Sequence, residues 1–372
     1  MKKFFSGLGL IIGLELRQRV RGVAWYVLIG IFVLLVAIVT LLLWLASASN
    51  IFGPTDPSAT GSGSTGSGGW LYSIIVYFVL LLGTLVTPAL SGNAINGERD
   101  AGTLATTQVT LITTGQLVLG KFIAAWVSSL VFLVASLPFI AISLVLGNIS
   151  VATIAVSALI LAVELGLLAA IGVALSGIIT RPLFSIVTTY LVVAALSVGT
   201  LIAFGLLGAV TRTEVTNTYI GIDNPKFDES TGNPIDPVCL PPEVTTYQTS
   251  RFDRYWGILA ANPYVVLADA VPGGFDSSGN PTNLFSAISS GARAAQKAPA
   301  STVTNNYCRD FAAQNGSEGP YGPTPRELHD AAVPSWFVGV GIHLLLAAAA
   351  LFWAWRRTMT PTRRLARGSR VA

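Results

Sequence analysis

The sequence predicts an all-α polytopic membrane protein with an N-terminal interfacial helix, six transmembrane helices and a large extracytoplasmic insert between spans 5 and 6. Three observations predict it. Only 11% of the 372 residues are charged and 52% are hydrophobic, whereas a soluble domain carries about 25% charged residues. The apolar residues gather into runs of about 20 or more, the length that crosses a bilayer as a helix. The charges also sort by side. With six spans, fourteen Lys and Arg share one side with only Glu15, Glu98 and Asp100. The other side holds eight basic and fourteen acidic residues, and Glu164 falls inside a span. Basic residues near span ends stay cytoplasmic, so both termini are expected inside a multi-pass plasma-membrane protein. This sorting accounts for the pI near 9.1, and no nucleic-acid partner is needed to explain it.

Residues 1–22 carry Lys2 and Lys3, then Phe4, Phe5, Leu8, Ile11 and Ile12 at near-helical spacing, and close with Arg17, Arg19 and Arg21. A basic amphipathic helix of this kind lies in the interface plane. Residues 23–210 hold spans 1–5. Span 1, about 23–46, has Trp25, Tyr26 and Trp44 near its ends, as interfacial aromatics do. Its 24 residues exceed a signal-peptide core of about 7–15, so it reads as an uncleaved anchor despite Ala46-Ser47-Ala48. A Gly/Ser-rich linker, 47–69, separates it from span 2, about 70–90, where Pro88 sits near the inner end.

Next comes a polar segment, 93–121, expected on the cytoplasmic side. It contains Glu98, Arg99, Asp100, Gly102, Thr103 and Leu104, and ends in Gly120-Lys121. Here the chain resembles the permeases of the ABC-2 class of ATP-driven transporters, which carry an E-R-x-x-G-T-L-like segment after the second span and a G-K further on. The layout of one interfacial helix and six spans fits the same family, whose first helix is called the elbow helix. The resemblance implies that Glu98–Leu104 is a coupling segment that docks on a separate ATPase subunit. It also implies a second permease subunit, as a homo- or heterodimer, and export as the direction of transport. ATP and magnesium would then be bound by the partner, with no cofactor in this chain. Lys121 is expected to anchor span 3 at the leaflet by snorkelling. Gly115–Lys121 also matches the G-x-x-x-x-G-K core of a phosphate-binding loop. That loop needs a strand before it and a Ser or Thr after the Lys, and Phe122 follows here.

Span 3, about 122–146, contains Pro138; span 4, about 151–178, contains Glu164. A carboxylate at the bilayer centre costs on the order of 3 kcal/mol, so Glu164 either belongs to a substrate or proton path or is protonated against a neighbouring helix. Thr180-Arg181-Pro182 forms an inner turn, and span 5 covers about 183–210, where Gly199, Gly205 and Gly208 would permit close packing.

Residues 211–333 differ in kind. Rich in Pro, Gly, Asn, Asp, Thr and Ser, with thirteen acids and eight bases, they read as a water-exposed extracytoplasmic domain. Its apolar stretch Trp256–Ala270, fifteen residues with Asn262-Pro263 and Asp269 inside, is too short to span and reads as re-entrant or packed on the outer face. The length of this insert departs from the compact pattern of the resembled family. Cys239 and Cys308 are either two free thiols or a disulfide. If paired they would close a loop of about 70 residues, worth roughly 4 kcal/mol in a chain-entropy treatment.

Residues 334–356 form span 6, with His343 inside as a second intramembrane polar candidate, either ligand- or proton-linked or bonded to a helix neighbour. The tail 357–372 is basic. Metal-ligand spacing and nucleophile motifs are missing, so no enzymatic activity is expected in this chain. The other reading is a non-transporting membrane receptor or scaffold whose outer domain binds a ligand or partner, and the need for ATP separates the two.

Overall fold

The computed structural model describes residues 2–48, 67–102, 113–146, 149–223, 226–227, 234–235, 238–308 and 323–359. Six of its helices are long and apolar enough to cross a membrane. Helix α1 (Lys2–Arg21) precedes the first of these, α2 (Val23–Ala48), with a break at Gly22. Then come α3 (Ser67–Ser91), the short α4 (Asn96–Asp100), α5 (Thr114–Leu146), α6 (Val151–Ile178) and α7 (Pro182–Val210). The last long helix is α12 (Trp336–Thr358).

Between α7 and α12 lie β1 (Arg212–Ile220), β2 (Glu243–Ser250), α8 (Trp256–Ala260), α9 (Pro263–Ala270), α10 (Leu284–Ala294), β3 (Thr302–Asn306) and α11 (Pro325–Ala331). The strands form a sheet in the order β2-β1-β3. β1 runs antiparallel to β2, with Arg212 opposite Ser250, and parallel to β3, with Thr216 opposite Thr302. Two short antiparallel ladders form separately, Ile222–Asp223 with Val238–Cys239 and Lys226–Phe227 with Pro234–Ile235. The chain is therefore mostly helical and not all-α. The insert's Thr- and Val-rich runs form these strands, since β-branched residues fit a pleated surface well. Cys239 and Cys308 are joined as a disulfide with Cα atoms 5.4 Å apart.

Helix α6 is the centre of the bundle. In its apolar window 61% of residues are buried, against 17% for α2 and 11% for α7, so α2 and α7 present apolar surface outward. A helix that is apolar all round buries all round, and α6 is built that way, with small residues where neighbours press closest. A Cβ on Gly166 would lie 2.8 Å from the Trp126 indole nitrogen of α5. One on Gly172 would meet the Ser91 hydroxyl of α3, and one on Gly177 would lie 3.0 Å from Ala354 of α12. Each glycine thus seats a different neighbour.

The element starts follow local chemistry. Ser150 caps α6 by accepting from the Thr153 amide. Asn262 caps α9 with Pro263 in its first turn, Asn283 caps α10, and Thr324 with Glu327 forms a capping box on α11. Helix α5 runs through Pro138 without a break. Helix α7 contains one π turn, Ala195–Gly199. Of the three glycines expected to permit helix packing in span 5, Gly205 faces open space, and a Cβ on Gly208 would collide with Phe252, which lies in the insert.

The stretch Trp256–Ala270 is a helical hairpin, α8 and α9, packed against α6, α7 and α12. Gly339 of α12 makes this possible: a Cβ there would meet the Ala260 carbonyl oxygen and the Val266 side chain, at 2.2 and 2.4 Å. The Gly339→Ala variant is expected to lose about 1–3 kcal/mol, the cost of overpacking a filled interior. A lowered midpoint of thermal unfolding in detergent micelles checks it, and an unchanged midpoint would show that the hairpin yields freely.

Candidate functional site

The candidate site lies at the end of the bundle that carries both α1 and the C-terminus of α12. Helix α1 lies along the first turns of α5, and Ile11 packs against Gly120, where a Cβ would come within 2.7 Å of it. The Gln116 amide donates to the Phe4 carbonyl at 2.9 Å. One turn further on, Lys121 is buried and its ammonium is shared between two carboxylates, Glu15 of α1 and Glu98 of α4, the latter at 2.7 Å. Lys121 does not snorkel: only 1% of its side chain is exposed. It lies two turns inside a helix that begins at Thr114, so its stem points between α1 and α4. The Gly115–Lys121 stretch that mimics a phosphate-binding loop is helical.

Arg19, one turn after Glu15, donates to the Leu90 carbonyl at 3.1 Å and lies 4.0 Å from Glu15. Burial lowers its pKa from the ordinary guanidinium value, and the Glu15 charge offsets part of that. The segment that carries α4 is fixed from the other side by α6. The Ser176 hydroxyl accepts from the backbone amides of Ile95 and Asn96 at 2.8 and 3.0 Å. Arg99 donates to the Asn96 side chain at 2.9 Å and to the Gly177 carbonyl at 3.4 Å.

Glu98 and Arg99 are therefore half-buried and tied to α5 and α6 within the chain. Asp100, Ala101 and Gly102 are exposed. Gly102 adopts φ +66°, the left-handed conformation that closes a helix C-terminus. A Cβ there would touch nothing within 4 Å, so its role is the turn and not a close approach. Thr103 and Leu104 lie outside the described residues. The expected coupling segment 93–121 thus divides into an anchored helix, an exposed turn, residues 103–112 that are not described, and the first turns of α5.

A second polar cluster occupies the bundle core. His343 of α12 and Glu164 of α6, 179 residues apart, meet with the ring Nδ1 3.0 Å from one carboxylate oxygen and 3.1 Å from the other. The ring Nε2 lies 2.7 Å from the Ala261 carbonyl, in the turn of the hairpin. Asn262 adds a bond from its amide to the Ser197 carbonyl of the π turn, at 2.5 Å, and one to the Thr200 hydroxyl, at 2.9 Å. That carbonyl belongs to the irregular turn, where one helical bond is displaced and an outside donor can enter.

Third, buried Asp269 at the end of α9 holds the start of α12. It accepts from Arg293 at 2.5 Å, and from the Ser335 amide, the Ser335 hydroxyl and the Trp336 amide at 2.5, 3.0 and 3.0 Å.

Sequence reasoning missed Glu15, Gln116, Ser176 and Arg293 as members of these clusters. Glu15 had a signal, as the lone acid in an otherwise basic segment. Among the described residues no group of three or more His, Cys, Asp or Glu could hold a metal ion. The chain matches no protein-family model, and no curated protein matches it in sequence.

Proposed function

We propose that this chain is the membrane-spanning subunit of an ATP-driven exporter of the ABC-2 type, coupling hydrolysis by a separate ATPase subunit to substrate movement. The observation that carries the reading is the anchoring of the Glu98–Arg99 segment. One buried lysine ties α4 to α1 and α5, and Ser176 with the Gly177 carbonyl ties it to α6. A push on the exposed turn at Asp100–Gly102 therefore reaches spans 2, 3 and 4 together, through ion pairs and hydrogen bonds that hold the segment in place. Packed helices joined in this way move as rigid bodies, which suits domain-scale switching.

In this reading the end with α1 is cytoplasmic, because the basic residues gather there. The Cys239–Cys308 disulfide supports an oxidising compartment for the insert. Glu98 and Arg99 hold the coupling segment in place, while Asp100, Gly102 and the following residues, Thr103 and Leu104 among them, meet the ATPase. The substrate path lies between two permease subunits, each with an ATPase at its cytoplasmic face.

The test is purification of the tagged full chain in mild detergent, with mass-spectrometric identification of co-purifying proteins and an ATPase assay. A P-loop ATPase is expected with the wild type. Asp100→Arg is expected to reduce its recovery, and Glu98→Ala with Arg99→Ala is expected to leave it bound with hydrolysis no longer responsive to the permease. Absence of any P-loop ATPase from folded wild-type protein would remove the transporter reading and leave a receptor or scaffold whose outer part binds a ligand.

A further inference from the structure

The Glu164–His343 pair presents a proton count that its surroundings fix. Both ring nitrogens of His343 face oxygen acceptors: the carboxylate of Glu164 at 3.0 Å and the Ala261 carbonyl at 2.7 Å. Both residues are buried, 0% and 2% exposed. A neutral imidazole has one N–H and one lone pair. Opposite an ionised carboxylate and a carbonyl it can satisfy only one of them, and its lone pair would then face the other. The geometry is satisfied when the pair holds one more proton, as imidazolium with carboxylate or as neutral imidazole with carboxylic acid. In both forms the pair is neutral, the state that a low-dielectric interior favours.

We infer that Glu164 and His343 form a one-proton binding site in the membrane interior, and that the bound proton latches the α8–α9 hairpin to the bundle through the Ala261 carbonyl. When the proton leaves to water, a carboxylate and a singly protonated imidazole remain. The one N–H then serves either Glu164 or Ala261, and the carboxylate, the more strongly charged acceptor, takes it. The hairpin loses its bond to α12 beside its Asn262 anchor on α7. The inference stands whether or not the chain partners an ATPase, since it concerns only this pair and the hairpin.

Among the described residues, the titratable groups on the elements packed around the pair have other hydrogen-bond partners or lie at the far end. On α9, Asp269 is committed to Arg293 and the start of α12, and the Tyr264 hydroxyl faces Thr84. On α3, Tyr77 donates to the Tyr264 carbonyl and Tyr72 meets Ser157. On α5, Lys121 is held by Glu15 and Glu98 at the far end. On α7, Tyr190 donates to the Leu85 carbonyl. On α12 itself, Arg356 and Arg357 lie in the last turn.

The Glu164→Gln variant separates a proton latch from a static pair. Its amide N–H can donate to Nδ1 while Nε2–H donates to Ala261, so the latch stays closed without a titrating proton. The experiment is hydrogen exchange by mass spectrometry on the full chain in lipid nanodiscs, comparing wild type and Glu164→Gln at each pH so that intrinsic exchange rates cancel. At acidic pH the two are expected to protect 256–270 equally. At alkaline pH the wild type is expected to exchange this stretch about tenfold faster, through local opening, while the variant stays protected. His343→Ala is expected to exchange it fast at every pH. Wild type and Glu164→Gln that track each other from about pH 5 to about pH 9, across the range in which histidines titrate, would overturn the proposal. Because Glu164→Gln keeps both hydrogen bonds, that comparison decides even if His343→Ala fails to fold.

Discussion

Replacing Lys121 by Met is expected to destabilise the chain by about 3–5 kcal/mol, the cost of breaking a buried ion cluster by removing one partner. Lys121 lies within ion-pair distance of both Glu98 and Glu15, and Arg19 reaches Glu15 only at the 4.0 Å limit. Without its ammonium, two partly buried carboxylates lose the cation they share between α1, α4 and α5. Their exposures of 14% and 28% place the effect toward the lower end of that range, because water reaches them in part. The midpoint of thermal unfolding in micelles measures it. The triple variant Glu15→Gln, Lys121→Met, Glu98→Gln removes all three charges together and is expected to recover most of the loss. Such recovery would identify the cluster as a device for positioning α4 and not as a net source of stability. An unchanged midpoint for Lys121→Met alone would show that the cluster does not hold the helices.

The second large effect belongs to Asp269. Replacing it with Ala is expected to cost about 3–5 kcal/mol. It leaves the buried Arg293 guanidinium without its carboxylate, although the bond to the His329 carbonyl remains. It also strips the acceptor from the Ser335 and Trp336 amides, where α12 begins. A carboxylate at a helix N-terminus is favoured by the exposed amides and the helix dipole. Asp269→Asn keeps an acceptor oxygen but loses the charge, so it is expected to lie between wild type and Asp269→Ala. Thermal unfolding gives the order of the three. Limited proteolysis locates the damage, which should fall in the insert, since α9, α10 and α12 all meet at Asp269. Equal stability of all three proteins would mean that the N-terminus of α12 is held by its apolar packing alone.

Much of the architecture was legible because its signals are local. Hydropathy over a window of residues finds helices long enough to span. Asn-Pro before an apolar stretch gives the cap and first turn of α9, and Ser150 gives the cap of α6. Glycine after a short polar helix gives the turn at Gly102. The strands of the insert were less legible, because β1, β2 and β3 are built from Thr, Val, Asn and Tyr without an unbroken alternation. Both pairings are made by β1, with β2 across about twenty residues and with β3 across about eighty, which no short window reports.

The sequence by itself determined that this chain has six helices able to cross a membrane, a sorted distribution of charge and a polar segment between the second and third spans. Each of these depends on composition along the chain, and composition is read one window at a time. Only the tertiary structure decided what the buried polar residues do. Whether Lys121 snorkels or closes an ion cluster depends on the rotational phase of α5 against α1 and α4. Whether Glu164 meets His343 depends on the phases of α6 and α12, with 179 residues between the two side chains. An apolar helix carries little information about its own phase, because nearly every face of it is suited to lipid. The phase is set by close packing instead, by Gly166, Gly172 and Gly177 each admitting one neighbour and by Gly339 admitting the hairpin, and that packing exists only once the helices have met.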